Sequence, residues 1–568
     1  MAGRLGTMDQ GSGFDRLALP AGILALALAA LAVHLGGAHP GPQATALRAP
    51  QGLPTARDLM PWEASAPVVA ASLASCILLG LGVAARLSGR PVVAPGPLGR
   101  ARTARRRELR SLHRPRRLLS LPWPGRDRRP PAPQVRLGSY RGRPIWLPAD
   151  EHLLALGPTG AGKSSGLAIP ALLEWPGPVV VTDPKGELVA TTLSHRRSLG
   201  PTAVFAPLMR PSDRWNPLAS IQSSEDALRV ATFLMGRAPD REPFWHDLAR
   251  QLLHGLLIEA SQQGNPLAGV LSLLQSVPAE RIGDSLAHPV AQRLASGALS
   301  GGDRTSMGVV ATLVSQLGAY GSDEVAAATA ASDFDPAGVA SGELMSLYCV
   351  VTPHDAPVLR GLVSALISCS WRALFANPPA PPALFVLDEF AQLTTLPELP
   401  ALVQLGRSQG VRMMLLAQDL GSITSAYGPE AAGALWSNSR TKLLLPGISE
   451  LELLERASRL AGTATLHRQA HPHGWEAVAA QPLLHADDIR RLRPDRALLI
   501  HGADHTAVIR QTRWFESARM RQQVPQGKAA PARLRPAPGR PLRDWTRPDP
   551  GWAAAASPLP WDVGDEEA

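Results

Sequence analysis

The segment Gly157–Ser164, GPTGAGKS, has the residue types and spacing of a phosphate-binding loop. It follows the apolar run Leu153–Leu156, which predicts a strand, and it precedes a stretch that predicts a helix, the context that the G-x-x-x-x-G-K-[ST] pattern requires. The glycines let backbone N–H groups turn toward phosphates, and the start of the helix adds partial positive charge. We expect Lys163 to reach the β- and γ-phosphates and Ser164 to ligate magnesium. The expected nucleotide-binding residues here are Gly157, Pro158, Thr159, Gly160, Ala161, Gly162, Lys163, Ser164 and Ser165.

A second apolar run, Leu384–Leu387, ends in two carboxylates, Asp388 and Glu389. A carboxylate at a strand end beside a phosphate-binding loop can hold the magnesium shell, and we assign this role to Asp388. Glu389 is then placed to orient or deprotonate the attacking water. An apolar run followed by two acidic residues is by itself often a strand that ends in solvent. Together with the complete loop it predicts an ATPase that uses ATP and Mg²⁺.

A further buried strand is predicted for Arg412–Ala417 (RMMLLA), and it ends at Gln418. A polar side chain at this strand tip, beside the two motifs, could sense the γ-phosphate. The alternative interpretation is an ordinary strand terminus.

Two uncharged runs precede these motifs, at residues 17–35 and 68–85. Each approaches the length that crosses a bilayer, and both are apolar on all faces. They predict two transmembrane helices; a pair of buried core helices, or a cleaved signal peptide for the first run, are the alternatives. The arginines that follow the second run favour the cytoplasmic side. We therefore expect a multi-pass protein of the inner or plasma membrane, with residues 36–67 outside and the large C-terminal part in the cytoplasm.

The formal net charge of +10 is concentrated in one short stretch. Residues 100–129 contain twelve arginines against Glu108 and Asp127, so the rest of the chain is neutral overall. Bulk charge therefore does not indicate a nucleic-acid-binding body. The basic stretch predicts a membrane-surface anchor, and a DNA site is the alternative. The three cysteines show no paired spacing, so neither a disulfide framework nor a zinc knuckle is indicated, and a reducing compartment is favoured.

Further segments carry a resemblance to a known family. Residues 179–187 read VVVTDPKGE, 205–221 read FAPLMRPSDRWNPLASI, and 406–418 read GRSQGVRMMLLAQ. With the phosphate-binding loop and LDEFAQL, these resemble the TraG/TraD-type coupling proteins of type IV secretion and conjugation over roughly residues 140–516. The resemblance implies a RecA-like motor with a mostly parallel sheet, interrupted by an all-α domain. It also implies that Asp183 and Lys185 are neighbours of the nucleotide.

The sequence pattern agrees with this architecture. After Ile221 helical periodicity dominates to about Ala331, and strand-like runs return at Leu347–Val351, Lys442–Leu445 and Ala497–His501. An insertion that joins distant strands of one sheet is the economical interpretation. The predicted division is a cytoplasmic N-terminus (1–16), transmembrane helices (17–35 and 68–85) around an external loop (36–67), a basic juxtamembrane linker (86–134), a RecA-like ATPase domain in two parts (135–221 and 332–516, the second with a relaxosome-recognition-like region), an all-α insertion (222–331) and a disordered tail (517–568).

The resemblance also implies a hexameric ring, which directs attention to Arg407 in GRSQG. In a ring of RecA-like domains, the edge that carries Arg407 can face the nucleotide held by the next subunit. A guanidinium inserted from a neighbour stabilises the charge that develops on the transferred phosphoryl group. We predict Arg407 as this trans-acting finger; Arg412 or a plain surface arginine are the alternatives.

The function that the resemblance implies is a membrane-anchored ATPase that couples single-stranded DNA, bound to its relaxase and relaxosome proteins, to a type IV secretion channel. The alternative is a double-stranded DNA pump of the chromosome-segregation type, which shares the fold, the ring and the anchor. A non-transporting scaffold with a decayed nucleotide site is a third interpretation, and the intact Lys163, Ser164, Asp388 and Glu389 disfavour it.

Overall fold

The structure, a computed structural model, describes residues 92–94, 100–105, 107–113, 133–238, 243–469, 476–524 and 534–536. All of these belong to the unit that begins at Arg90. The predicted membrane segments at 17–35 and 68–85, with the flanking regions 1–16 and 36–67, lie outside the described residues.

The described part of the chain alternates strands and helices on both sides of a purely helical stretch. The strands are β1 (Val92–Ala94), β2 (Arg136–Tyr140), β3 (Arg143–Trp146), β4 (Leu153–Leu156), β5 (Val179–Asp183), β6 (Thr202–Phe205), β7 (Met209–Arg210), β8 (Ser346–Val350), β9 (Ala383–Asp388), β10 (Val411–Ala417), β11 (Thr441–Leu444), β12 (Thr463–Gln469), β13 (Glu476–Pro482), β14 (Arg496–His501), β15 (Ala507–Arg510) and β16 (Arg535–Pro536). The α-helices are α1 (Ile169–Glu174), α2 (Glu187–Arg197), α3 (Ser224–Met235), α4 (Pro243–Gln262), α5 (Leu267–Ser276), α6 (Pro289–Ala298), α7 (Asp303–Leu317), α8 (Asp323–Thr329), α9 (Ala356–Ala376), α10 (Phe390–Leu393), α11 (Leu399–Leu405), α12 (Leu420–Tyr427), α13 (Pro429–Asn438), α14 (Leu451–Ala461), α15 (Ala486–Arg490) and α16 (Ala518–Gln523).

An eleven-stranded sheet organises the domain, in the order β3-β2-β15-β14-β11-β4-β10-β9-β5-β8-β6. The seven strands from β11 to β6 are parallel, and the four strands from β14 to β3 extend the sheet with antiparallel pairing. The prediction of an α/β fold with a mostly parallel sheet is therefore confirmed. Parallel strands place their carboxyl ends at one edge, so β4, β9 and β10 deliver the residues that follow them to a common place.

Both faces of this sheet are buried. Leu154 and Leu156 of β4 belong to the core that includes α3 and α9, while Leu153 and Ala155 belong to the core that includes α1 and α2. The near-continuous apolar runs in the central strands follow from this burial on two sides.

Between β7 and β8 the described residues form helices and no strand. The long helix α4 packs against α3, α6 and α7, and α3 in turn packs against α9 of the sheet domain. This region occupies the place where the sequence predicts an all-α insertion. Within the described residues, α9 is also the one helix long and apolar enough to cross a bilayer, and 67% of its most apolar window is buried inside the domain. Its apolar character is accounted for by core packing.

The structure corrects the prediction that residues 86–134 form a basic linker. Strand β1 pairs with β12, and a 3-10 helix follows at Glu108–Leu112. Ala104, Leu109 and Leu112 are at most 1% exposed, and the Tyr140 hydroxyl donates a hydrogen bond to the Ala104 carbonyl at 2.7 Å. These apolar residues fold onto the domain, and the surrounding arginines conceal that signal in the sequence.

The predicted disordered tail at 517–568 also begins too early. Helix α16 packs its Met520, 1% exposed, into the core beside α1 and α2. Strand β16 pairs antiparallel with β7. The buried methionine, spaced among arginines and glutamines, supplies too little periodicity to predict a helix.

A buried polar cluster joins the beginnings of β4 and β11 to the end of the neighbouring antiparallel strand β14. The Glu151 carboxylate, just before β4, accepts hydrogen bonds from the Thr441 hydroxyl of β11 at 2.7 Å and from His501 Nε2 of β14 at 3.1 Å. His501 is 3% exposed, and its Nδ1 lies 2.7 Å from the Asp504 carboxylate. Burial lowers the pKa of His501, but the hydrogen bonds to Glu151 and Asp504 outweigh it, so the pKa is raised above its ordinary 6.5.

A raised pKa makes this cluster pH-dependent. The protonated imidazole contributes stability that is fully present below pH 6.5 and is lost as the pH rises through the raised pKa. We expect His501→Gln to lower the free energy of unfolding at pH 6 by about 2 kcal/mol, as for hydrogen bonds between charged groups, and by less at pH 9. Thermal unfolding of the parent and the variant at several pH values measures this difference. An equal loss of stability at both pH values would contradict the charged state of His501.

Candidate nucleotide site

The loop Gly157–Ser164 leaves the carboxyl end of β4, at the centre of the sheet. Gly160 and Gly162 have φ angles of 83° and 99°, a left-handed conformation that glycine adopts without steric cost. A Cβ atom on Gly157 would lie 2.6 Å from the Cβ of Leu445, so this position also needs glycine. The loop therefore has the backbone that the sequence motif predicts.

Lys163 is held across this loop. Its side chain is 6% exposed, and Nζ donates hydrogen bonds to the carbonyl of Gly157 at 2.5 Å and of Pro158 at 3.5 Å. The same Nζ lies 3.1 Å from Oε1 of Glu389. Lys163, which the sequence assigns to phosphate binding, and Glu389, which it assigns to water activation, therefore form an ion pair with each other.

Asp388 ends β9 with its carboxylate 4% exposed. The Ser164 hydroxyl donates to its Oδ2 at 3.2 Å, while its Oδ1 is buried and has no protein partner. Burial raises the pKa of Asp388 to about 7; Glu389 and Asp183 add to the increase, and Lys163 and Ser164 oppose it. Ser164 and Asp388 together offer only oxygen atoms, and one carboxylate oxygen has no protein partner. This arrangement suits Mg²⁺, which is bound by few protein ligands together with phosphates and water.

Glu389 is one of two non-glycine residues with positive φ among those described, at 49°. Its 9% exposure and this left-handed backbone place the carboxylate against Lys163 instead of in solvent. Residues outside their preferred conformations concentrate at functional sites. In this structure the Glu389 carboxylate is therefore occupied by its ion pair with Lys163.

Asp183 and Lys185 differ from each other in their surroundings. The Asp183 carboxylate, 1% exposed, accepts backbone hydrogen bonds from Val189 at 2.8 Å and from Lys185 at 3.2 Å, so it caps the start of α2. Burial raises its pKa to about 6 although these N–H groups oppose the increase. The Lys185 side chain is exposed. The charge of Asp183 raises the pKa of Asp388, and this effect connects the segment 179–187 to the candidate site.

Strand register brings Gln418 to the same edge. Ala417 pairs with Leu156 of β4, and Leu416 pairs with Asp388 of β9, so Gln418 follows between the phosphate-binding loop and the acidic pair. Gln418 is half-buried. The contact of Gln418 with the γ-phosphate stays a prediction.

The two candidate arginines lie at the opposite end of the parallel strands, where β10 begins. Arg407 is in a 3-10 helix, Gly406–Gln409, that precedes β10; its side chain lies outside what the structure describes. The seven residues of β10 separate it from the phosphate edge by roughly 20 Å, so it cannot serve its own loop. Arg412 is 8% exposed and donates to the Val411 carbonyl at 2.7 Å and to that of Ala149, which commits its guanidinium to its own domain.

Two further contacts at the carboxyl ends of these strands were not predicted from the sequence. The Thr182 hydroxyl donates to the Asp388 carbonyl at 2.9 Å and holds the end of β9. Gln511, 2% exposed, lies against the phosphate-binding loop with Nε2 3.5 Å from the Ala161 carbonyl. A lone glutamine in an arginine-rich segment gives no sequence signal of this role.

Comparison with known proteins finds similar sequences. Conjugal transfer protein TraG of Escherichia coli is 29% identical over 371 residues, 56% of each chain. Protein VirD4 of Rhizobium radiobacter is 24% identical over 396 residues, which cover 65% of this chain and 57% of that protein. The chain thus spans little more than half the length of these relatives.

Solved structures show the fold. The bacterial conjugative coupling protein TrwBdeltaN70, in complex with sulphate, superposes with a TM-score of 0.56 at 21% identity, over 68% of this chain and 90% of that one. TrwB in complex with GDPNP gives a TM-score of 0.55 at 20% identity. This structural similarity confirms one part of the predicted resemblance, the α/β fold with a mostly parallel sheet.

The family model described as Type IV secretory system Conjugative DNA transfer matches residues 126–535, which include every strand of the eleven-stranded sheet and the whole candidate site. The chain belongs to the type IV secretory system conjugative DNA transfer family.

Proposed function

We propose that this protein is a membrane-anchored ATPase that couples single-stranded DNA, carried with its relaxase, to a type IV secretion channel and drives its transfer. The observation that carries the proposal is the meeting of Lys163, Ser164, Asp388 and Glu389 at one edge of the sheet in a chain of this family. Structures of TrwB are described with ADP and Mg²⁺ and with analogues of ATP and GTP, which supports a nucleotide at this edge. Family membership favours this function over a segregation-type pump.

The Lys163–Glu389 ion pair supplies a way to time hydrolysis. In the geometry described, Lys163 uses Glu389 and two loop carbonyls as partners. The β- and γ-phosphates of ATP replace these partners, because they carry more negative charge than one carboxylate. Glu389 is then released to accept a hydrogen bond or a proton from the attacking water. Nucleotide binding therefore activates the base that its hydrolysis requires.

Ser164 and Asp388 would hold the magnesium ion. When bound, Mg²⁺ neutralises part of the charge on the phosphates. The Asp388 carboxylate must be ionised for this, and its pKa of about 7 without a cation makes cation binding and loss of a proton coupled events. Gln418, next to both groups, is positioned to contact the γ-phosphate.

This mechanism separates binding from hydrolysis. We expect Lys163→Ala to lose nucleotide binding and substrate transfer while membrane insertion stays intact. Glu389→Gln should bind ATP at least as tightly as the parent, because no ion pair has to be displaced, and should hydrolyse it at least about 100-fold more slowly. Equilibrium binding and phosphate release measure the two effects, with the exposed Glu430→Gln as the matched control. Substrate transfer by Lys163→Ala at the level of the parent would contradict the proposed motor function.

The proposal includes a homo-hexameric ring. Arg407 lies far from the phosphate-binding loop of its own subunit, so it can act as a finger only on the nucleotide of a neighbouring subunit. An arginine finger in trans contributes on the order of 10³–10⁵ to the rate where such fingers are known. Arg407→Ala should therefore retain nucleotide binding and lose hydrolysis, whereas Ala in place of the exposed Arg491 should change neither.

Mixed rings test the same assignment. Subunits with Arg407→Ala keep an intact loop, and subunits with Lys163→Ala keep an intact finger, so their mixture should recover part of the hydrolysis. Hydrolysis at the parent rate by Arg407→Ala alone, where the ring assembles, would exclude the finger.

The DNA substrate distinguishes the two transport functions. The full chain in detergent should bind single-stranded DNA with little sequence preference, and the affinity should fall as salt rises. Its ATPase should respond more to single strands than to duplex. Preferential binding to duplex, or translocation along it, would favour the segregation-type pump. The predicted spans at 17–35 and 68–85 would place this activity at the inner face of the membrane, next to the secretion channel.

A further inference from the structure

A short segment after β15, Gln511–Glu516, crosses the first turn that follows the phosphate-binding loop. A Cβ atom on Gly162 would lie 2.6 Å from Oε1 of Gln511, and a Cβ atom on Gly166 would lie 2.8 Å from it. The side chain of Gln511 therefore fills the space that the two glycines leave open. The segment is fixed against the loop at its first residue.

The rest of the segment is a 3-10 turn, Trp514–Glu516, that contacts the helical turn Ser164–Ala168. Phe515 is 43% exposed. The guanidinium carbon of Arg513 lies over its ring, 5.9 Å from the centroid, and the Trp514 ring meets it edge-on at 5.7 Å. An exposed aromatic ring, beside a phosphate-binding loop and flanked by a cation, has the composition of a stacking surface.

The backbone of this turn is held in place. The Glu516 N–H donates to the Arg513 carbonyl at 3.0 Å, and Nη1 of Arg521 donates to the Phe515 carbonyl at 2.6 Å. Arg513 itself donates from Nη2 to the Pro494 carbonyl at 3.3 Å. The ring is therefore presented by a preorganised turn, which reduces the entropy that a ligand must overcome.

Charge distribution decides which part of a nucleotide reaches this turn. On the β9 and β5 side of the loop lie the carboxylates of Asp388, Glu389 and Asp183, which suit magnesium and the attacking water. On the opposite side lie β11, β14 and β15. Leu445 follows β11 and Gln511 follows β15, and both lie against glycines of the loop. With its phosphates in the loop, a nucleotide has its nucleoside free to extend toward this second side.

Other exposed phenylalanines in the described part of the chain lie elsewhere. Phe244 is in the helical insertion, and Phe375 is at the end of α9, near the edge of the sheet from which β9 starts. Phe515 is thus the exposed phenylalanine that the fold brings to the nucleotide edge.

We propose that Phe515 and Arg513 form the nucleobase subsite of the ATP site, with the Phe515 ring stacked on the purine. This inference rests on the proposed function, because it takes the phosphates to be bound by the loop. Stacking uses the face that every base presents, so the subsite should accept adenine and guanine alike. The phosphates would supply most of the affinity, and the stack would orient the nucleoside.

Calorimetric titration of the full chain with ATP and with inorganic tripolyphosphate, both with magnesium, tests the subsite. Phe515→Ala should raise the Kd for ATP about 30-fold, the middle of the range for loss of one base stack, and leave the Kd for tripolyphosphate unchanged. Phe515→Leu, which keeps an apolar side chain in the turn, should behave like Phe515→Ala, and Phe515→Trp should restore ATP binding. Phe375→Ala is the matched control and should change neither constant.

Each alternative outcome is distinguishable. Equal weakening of both ligands by Phe515→Ala and Phe515→Leu would mean that the turn supports the loop and that no base is stacked there. Unchanged ATP binding in both variants would also overturn the subsite, and would leave Phe515 as a contact for DNA or protein. Lys163→Ala should lose both ligands; if it retained them, the proposed ATPase would fail, whatever Phe515 does.

Discussion

The burial of charged groups at the carboxyl edge of the parallel strands is the constraint on which the rest of the structure depends. Lys163, Asp388 and Glu389 are each less than 10% exposed, and isolated charges at such depth would be strongly disfavoured. They are tolerated because they meet: the ammonium of Lys163 faces a carboxylate and loop carbonyls, and Asp388 accepts from Ser164. The sheet has to hold β4 and β9 in fixed register on either side of β10 for these contacts to form. In this arrangement the buried charged groups are neutralised by one another and by the loop.

The sheet is also stabilised from its opposite edge. Glu151, Thr441 and His501 join the beginnings of β4 and β11 to the end of the antiparallel β14 through buried hydrogen bonds. An extended strand has a nearly fixed length. Holding the beginning of β4 in place therefore also holds the start of the phosphate-binding loop, which follows its last residue. Arg196 has a comparable role elsewhere: it is fully buried and donates to the carbonyls of Trp175 and Gly177 and to the Ser346 hydroxyl. Polar groups at these depths specify one arrangement, since an alternative would leave them unpaired.

Regions that look like connecting chain contribute to the domain. Leu109 and Leu112 precede the first strand of the large sheet and are buried against it, and Met520 follows the last strand and is buried beside α1. The antiparallel strands β14 and β15 extend the sheet on the side where Gln511 contacts the phosphate-binding loop.

The sequence by itself determined the class of fold and identified the residues of the candidate site. The loop from Gly157 to Ser164 and the pair Asp388-Glu389 are local patterns, whose backbone and charge are set by neighbours in the chain, and the apolar runs of β4, β9 and β10 predict buried parallel strands. The tertiary structure decided what depends on contacts between distant segments. The ion pair of Lys163 with Glu389, the folding of residues 100–113 and 518–523 onto the domain, and the approach of Gln511 to Gly162 each join residues far apart in sequence. No local periodicity encodes such contacts, because their energy comes from burial and pairing that exist only after the sheet has formed.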